Sequence, residues 1–426
     1  MPRLRTAALL TGLALSGGSL SAQPAPDSVA GPEPGSELHV WLVTMAPGDA
    51  VWERFGHNAL RVLDTSTGRD VAYNWGIFDF DQVDFIPRFL KGQMLYMMAG
   101  FRTEPFITAY ARVGRQVVLQ ELALTPAQRV ALRDFAEWNA LPENREYRYD
   151  YFLDNCSTRI RDLVDRVLGG ALARRFEAEG TGTSYRWQNR RLTRMDPFLY
   201  TGMDVLLGSP GDRPISVWEE MFLPMTLRDA LRDMTVVDEA GVERPVVLEE
   251  TIAVPGNRPP DPEGPPAWLR WYLLLGVALG GVLAWCGRRA AGGSRWGRIL
   301  VGSLSAAWSL AAGFVGTLLV LVLFTEHRFM FWNENLFLLN PLSLALVVLV
   351  PLAMHQHGQG RPGRAAWAAE WLALAVAFLG VVGLAAELLP ATVQDNAIFL
   401  ALVLPPHVGL WWALRRARGA VRSGTS

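Results

Sequence analysis

Cys156 sits in the segment Asp154-Asn155-Cys156-Ser157-Thr158-Arg159 and is the only one of the chain's two cysteines to precede its apolar C-terminal third. A thiol attacks carbonyl carbon only as the thiolate, so its surroundings decide whether it is a reagent. The run Tyr147 to Asn155 reads as extended. Ile160, Leu163, Val164, Val167 and Leu168 then recur at helical spacing until Gly169-Gly170, which puts the thiol at a helix start. Helix N-termini carry partial positive charge and unpaired N–H groups, which favour a thiolate and can later hold an oxyanion. The plainer alternative is a buried structural cysteine. A thiol nucleophile needs a base, and of six histidines only His39 and His57 lie in the same part of the chain. His39, inside the apolar run LHVWLVT, reads as a core or edge residue. His57, in Phe55-Gly56-His57-Asn58-Ala59, is the better base, because imidazole titrates near neutrality and can take and return a proton. Asn74 is the expected orienting group for its ring, with Asn58 in reserve.

Short apolar or alternating runs at Leu38 to Thr44, Ala59 to Leu63, Val71 to Ile77 and Arg115 to Leu122 predict the strands that would carry these residues. Thr125 with Gln128 opens a capping-box pattern, and Pro126 takes the first helical position of a run ending near Asn139. The mixture predicts an α+β domain. Phe85 to Phe101, rich in Met and aromatic residues, reads either as helix core or as the lining of a path for a flexible chain.

The remaining chain places this domain. Arg3 and Arg5, the apolar run Ala7 to Leu15 and the small residues up to Ala22 have the order of a secretory signal peptide, expected over 1–22. Five apolar stretches, Trp268 to Trp285, Ile299 to Phe324, Leu336 to Met354, Trp367 to Leu389 and Ala397 to Leu414, predict a membrane domain over 267–414. Arginines follow the first, third and fifth stretches, which puts those ends and a tail at 415–426 in the cytoplasm. Residues 23–253 then form an exported domain, joined by the Pro-rich segment 254–266, which reads as a stiff linker. Charge agrees with this division, since residues 1–267 hold 28 Lys and Arg against 36 Asp and Glu, a net −8, and 268–426 hold 12 against 5, a net +7. Cys156 is alone in the exported part and cannot form an internal disulfide there. An oxidising compartment disfavours idle thiols.

Other chemistries lack their residues. The sequence has no zinc-ligand spacing, no G-x-S-x-G elbow and no phosphate-binding glycine loop. Asp79, Asp81 and Asp84 read as a solvated turn. A net charge of −1 and the absence of a basic stripe argue against nucleic acid as partner. Arg159, with Arg161, reads either as a phosphate contact or as the exposed face of the helix. Asn58, Asn155, Tyr151 and Arg159 are the candidate substrate-binding residues. The loop Glu326 to Pro341 either closes the site from below or caps two membrane helices. His407 is an ionisable residue within the fifth apolar stretch.

A histidine followed by Asn-Cys at a helix start resembles the circularly permuted, papain-like NlpC thiol enzymes, among them lecithin:retinol acyltransferase. The pieces FGHNALRV, YNWGIFDF, FLKGQMLY, PENREYRYDYFLDNCSTRIRD and ENLFLLNPL, in that order, are more closely similar to the Lnb-type lipoprotein N-acyltransferases, and the likeness spans about Leu38 to Leu414. The resemblance implies a periplasmic permuted NlpC-like domain followed by a five-helix domain in the bacterial inner membrane. It implies that Cys156, with His57 as base, takes an acyl chain from a phospholipid or other lipid ester as a thioester and passes it to the N-terminal amine of a diacylated lipoprotein. No metal or cofactor is expected. A membrane-tethered thiol hydrolase, acting as a phospholipase or a cell-wall peptide amidase, and a non-enzymatic sensor are the competing readings.

Overall fold

The computed structural model describes residues 33–79, 81–238, 241–360, 363–390 and 392–423; the expected signal peptide lies outside them. In chain order the exported part forms β1 (Leu38–Met45), β2 (His57–Asp64), β3 (Arg69–Ile77), α1 (Phe85–Lys91), β4 (Leu95–Arg102), α2 (Thr103–Arg112), β5 (Val117–Leu122), α3 (Pro126–Asn139), β6 (Glu146–Arg148) and α4 (Cys156–Val167). There follow α5 (Ala171–Phe176), β7 (Gly180–Ser184), α6 (Tyr185–Thr193), α7 (Pro197–Leu206), β8 (Pro214–Ser216), α8 (Val217–Glu220), α9 (Pro224–Arg232), β9 (Thr235–Val237), β10 (Glu243–Pro245) and β11 (Val247–Val254). The seven-stranded sheet has the order β11-β5-β1-β2-β3-β4-β6 with every neighbour antiparallel.

Alternation along β1 explains the layers. Leu38, Val40 and Leu42 turn to one face, where Leu60, Val62, Tyr73, Trp75 and Met98 meet Leu132 of α3 and Ile160, Leu163 and Val164 of α4. Val43, Met45, Ala59 and Val117 form a smaller cluster with Phe106, Ile107 and Tyr110 of α2. The capping box expected at Thr125 and Gln128 is present, with Thr125 Oγ1 accepting from Gln128 N at 3.3 Å and Gln128 Oε1 from Thr125 N at 2.9 Å. Fold class and layering therefore agree with the α+β expectation.

The stretch Phe85 to Phe101 is not one helix. Gly92, in the left-handed region with φ +72°, ends α1, and β4 begins three residues later. Only Met98 of this stretch is a fully buried apolar residue.

The C-terminal part holds α10 (Leu269–Ala291), α11 (Arg295–Val322), α12 (Ser343–Gly358), α13 (Arg364–Ala386) and α14 (Ala397–Ser423). Four of these are long and apolar enough to cross a membrane, while α12 has 16 residues and spans about 24 Å. The third stretch was expected from Leu336, but helix begins only at Ser343, because Glu334–Phe337 form a short 3-10 turn docked on the exported domain. The expected tail is also helical, since α14 continues to Ser423. Glycines let α10 and α14 approach closely: a Cβ on Gly276 would stand 2.2 Å from the Ala401 carbonyl oxygen, and one on Gly280 2.4 Å from that of Pro405.

The proline-rich segment is strapped to the domain rather than spanning a gap. Arg258 pairs with Asp49 at 2.6 and 2.7 Å, Arg191 donates to Pro262 O at 2.9 Å, and Asn257 N bonds Gly114 O at 3.2 Å.

Candidate active site

Asn155 and Cys156 fix the thiol at the first turn of α4. Asn155 caps the helix, its Oδ1 accepting from Ser157 N at 2.8 Å and Thr158 N at 2.9 Å, and Thr158 Oγ1 in turn accepts from Asn155 N at 2.8 Å. The Asn155 amide donates to Tyr151 O and Phe222 O, each at 2.9 Å, which ties the incoming chain to the segment before α9. Helix α4 lies against β2 and β3, so its first turn meets the start of β2 and the end of β3.

The start of β2 supplies His57 and the end of β3 supplies Asn74 and Gly76. His57 and Cys156 face each other across Gly76, and each acts on the other's ionisation by charge and by hydrogen bonding. The His57 Nε2 donates to Asn74 Oδ1 at 2.5 Å, which leaves Nδ1 as the ring nitrogen for the thiol. Gly76 makes this meeting possible. It sits at a register shift between β3 and β4 with φ +94°, and a Cβ there would lie 3.5 Å from Cys156 Cβ and 3.6 Å from His57 Cε1. Glycine alone adopts that conformation without strain, and the bulge turns the end of β3 toward the thiol.

The electrostatics follow from this packing. Burial by itself would push the Cys156 thiol up; the charge and hydrogen bond of His57, with the backbone N–H groups of Asn58 and Ser157, outweigh it and hold the thiol below its ordinary range. Burial would likewise push His57 down, but the thiolate charge and the bonds to Cys156 and Asn74 raise it. Each group's charge stabilises the other's, which favours thiolate with imidazolium more than either group would in isolation. Tyr149, packed against the core, is pushed far up by burial first and by the sulfur's charge second, which keeps it a neutral phenol beside the pair.

The four residues expected to bind substrate are placed differently. Asn58 is buried, and its amide donates to Ser157 Oγ at 3.1 Å and Pro224 O at 3.4 Å, so only its backbone N–H faces the sulfur. Asn155 is spent on the helix cap. Arg159 pairs with Asp154 at 2.6 and 2.8 Å, with its guanidinium carbon 3.7 Å from the Tyr147 ring centroid. Tyr151 packs edge-on against Phe55 and Phe152, each with centroids at 4.8 Å. These side chains position the nucleophile and its loop. His39 is engaged elsewhere, its Nδ1 2.7 Å from Glu121 Oε1 on the neighbouring β5. Gly76 is the site residue that spacing alone did not single out, although an isolated glycine in a strand pattern signals a bulge.

The loop after α11 braces this region from the membrane side. Phe329 packs on Phe152 at 4.5 Å and on Tyr185 at 5.0 Å, Gly208 N bonds Phe329 O at 2.8 Å, and the Asn333 amide donates to the carbonyls of Val205 and Leu206 at 2.9 and 3.1 Å. His407, within α14, has its Nε2 3.0 Å from Leu338 O and its Nδ1 3.5 Å from Trp308 Nε1, so it ties three segments of the membrane domain together. Among the described residues no group of three or more His, Cys, Asp or Glu could hold a metal ion.

Residues 34–188 match the family model of the Lnb N-terminal periplasmic domain, and residues 296–417 match that of the Lnb transmembrane domain. No curated protein and no solved structure matches the chain. The first match contains Cys156, His57 and Asn74, and the second begins beside the start of α11 and runs into α14. With both halves matched in this order over more than half of its length, the chain belongs to the Lnb family, as a membrane-associated enzyme of that type with a periplasmic N-terminal domain.

Proposed function

We propose that this chain is a lipoprotein N-acyltransferase of the inner membrane, with Cys156 as nucleophile, His57 as acid and base, and Asn74 holding the imidazole. The observation that carries this reading is the Cys156–His57–Asn74 line on a domain braced directly against a membrane domain. The thiolate attacks the ester carbonyl of a phospholipid, forming a C–S bond. As the tetrahedral oxyanion collapses, the ester C–O bond breaks and the His57 imidazolium protonates the departing lysolipid oxygen. The Cys156 N–H, at the first helical position and without an intrahelical acceptor, is the donor suited to the oxyanion. The α-amine of a diacylated lipoprotein's N-terminal cysteine then attacks the thioester. His57 takes the amine proton, the C–N bond forms, and the thiolate leaves in the ionisation state in which it began. Five membrane crossings, with α12 as the short one, put the arginine-rich ends on the cytoplasmic side and the thiol on the periplasmic side.

The test is expression in cells that lack their own lipoprotein N-acylation, followed by mass analysis of their lipopeptides. Triacylated N-termini that depend on Cys156 support the reading, whereas free fatty acid released without an amide product would make the chain a hydrolase.

The coupled ionisation predicts a pH profile. Because Cys156 is lowered and His57 raised, the thiolate forms at lower pH than an ordinary thiolate and the imidazolium persists to higher pH than an ordinary imidazolium. Alkylation of Cys156 by iodoacetamide should therefore already be fast at neutral pH. His57→Ala removes the balancing charge but not the burial, so the alkylation profile should move to higher pH, above that of an ordinary thiol. An unmoved profile would mean that the imidazole does not ionise the thiol.

Asn74→Ala leaves both reacting groups but frees the ring. Acyl transfer should fall by about 10- to 100-fold, the cost of a catalytic group misplaced by about an ångström, with little change in KM. Asn74→Asp, which keeps an acceptor for Nε2–H, should retain more activity than Asn74→Ala.

A further inference from the structure

A row of rings leads away from the thiol. Tyr149 stacks on Tyr96 with centroids at 4.0 Å, Tyr96 lies 5.4 Å from Phe78, and Phe78 meets Trp52 edge-on at 6.4 Å. Trp52 is 68 % exposed. The row thus begins at the partly buried Tyr149, within electrostatic reach of Cys156, and ends at the surface.

Beside this row lie α1 and the turn before it, whose surface does not suit water. Val83, Ile86, Phe89 and Leu90 are all more than half exposed, and Arg88 and Lys91 interrupt them. Gln82 fastens the start of this segment to the row, its amide donating to Asp79 O at 2.8 Å and to Leu95 O at 3.3 Å, next to Tyr96. An apolar surface of this kind on a soluble domain marks a docking face.

The far end of α1 shows where that face lies. Glu326 N bonds Lys91 O at 2.8 Å, His327 Nε2 is 3.0 Å from Phe89 O, and the Glu326 carboxylate takes Gln93 at 2.7 Å and Arg148 at 2.5 Å. Gly92 permits the approach: a Cβ there would stand 3.1 Å from both Glu326 C and His327 N. Glu326 comes four residues after the end of α11, just past Phe324, which is 82 % exposed. The C-terminal end of α1 is therefore pinned at the outer mouth of a membrane-spanning helix. At that depth apolar side chains meet acyl chains, and arginine and lysine meet phosphates.

We propose that α1 is a wedge seated in the periplasmic leaflet, and that the donor phospholipid's acyl chain passes from the bilayer beside it, along Phe78, Tyr96 and Tyr149, to the Cys156 sulfur. This route rests on the acyl-transfer reading and gives it an entrance. It commits the face to a lipid surface, because the hydrogen bonds at Lys91, Phe89 and Gln93 hold it level with the end of α11.

The experiment uses the full chain in vesicles of phosphatidylethanolamine and phosphatidylglycerol. A benzophenone-bearing residue in place of Phe89 should crosslink to phospholipid on illumination, whereas one in place of Val237, on the outlying β9–β10 hairpin, should not. The triple variant Ile86→Asp, Phe89→Asp, Leu90→Asp should lose at least about tenfold in acylation of Cys156 from vesicle lipid. Its Cys156 should still react with iodoacetamide at the wild-type rate, which shows that fold and thiol are intact. Unchanged acylation in the triple variant, or no lipid crosslink at position 89, would overturn the wedge. If the unaltered chain takes no acyl group from vesicles, the acyl-transfer reading itself fails, and the crosslink still decides where α1 sits.

Discussion

Cys156→Ser will lower acyl transfer by on the order of 10⁴-fold or more, the scale seen when a nucleophile acting in a concerted unit is removed. The reason is specific to this site. An alcohol at the same position does not ionise beside His57, so the mutual stabilisation of thiolate and imidazolium is lost. The backbone N–H groups of Asn58 and Ser157 then face a neutral hydroxyl. The Asn155 cap is untouched but a hydroxyl replaces a buried thiol, so stability should fall by only about 1 kcal/mol. The measurement is amide product formed from vesicle phospholipid and a diacylated lipopeptide, with thermal unfolding as the companion. A serine variant that keeps a tenth of the parent's rate would remove the thiol from the mechanism.

Asp204→Ala should be the most destabilising single change in the periplasmic domain. Asp204 has no exposed surface. Its carboxylate takes Arg186 Nη1 at 2.8 Å and two nitrogens of Arg190 at 2.9 and 3.0 Å. Arg186 is also held by Asp212 and by the carbonyls of Asp204, Leu207 and Gly208, while Arg190 reaches Asp395 just before α14. Removing the shared carboxylate leaves two buried guanidinium groups short of counter-charge, which costs about 3–5 kcal/mol. Thermal unfolding should fall by roughly 10 °C for a domain of this size. Asp395 is 59 % exposed on its side chain, so Asp395→Ala should cost only about 1 kcal/mol or less. Equal losses in the two variants would show that the network is not organised around Asp204.

Much of the periplasmic scaffold was legible because its signals are local. Thr125, Pro126 and Gln128 announce α3 within four residues, and the apolar spacing from Ile160 to Leu168 places Cys156 at the head of α4. Meeting of Cys156 with His57 is a different kind of fact. It depends on α4 lying across β2 and β3, which no short-range pattern encodes, and on the bulge at Gly76 that brings Asn74 to the imidazole. The misread segments have a common cause. Leu336 to Leu339 are apolar and continuous with a membrane helix, so hydropathy joins them to it, yet in the fold Leu338 and Leu339 pack with Tyr200 of α7. Phe85 to Phe101 is rich in apolar residues on both sides of the break, and Gly92 marks the change from helix to strand. Proline content foretold a stiff connection at 254–266 but not its bonds to Asp49 and Gly114, which lie far earlier in the chain. Arg159 was readable as an exposed cation, and Asp154, five residues earlier, claims it.

The central claim is a covalent one, and it can be tested directly. Purified protein should be mixed with phosphatidylethanolamine and phosphatidylglycerol vesicles without any amine acceptor, quenched in acid and digested. Mass spectrometry should find the peptide containing Cys156 heavier by one fatty acyl group, with the added mass lost in neutral hydroxylamine and the acyl chain passed to a diacylated lipopeptide when one is supplied. A Cys156 peptide that stays unmodified while amide product accumulates from the same mixture would contradict the account.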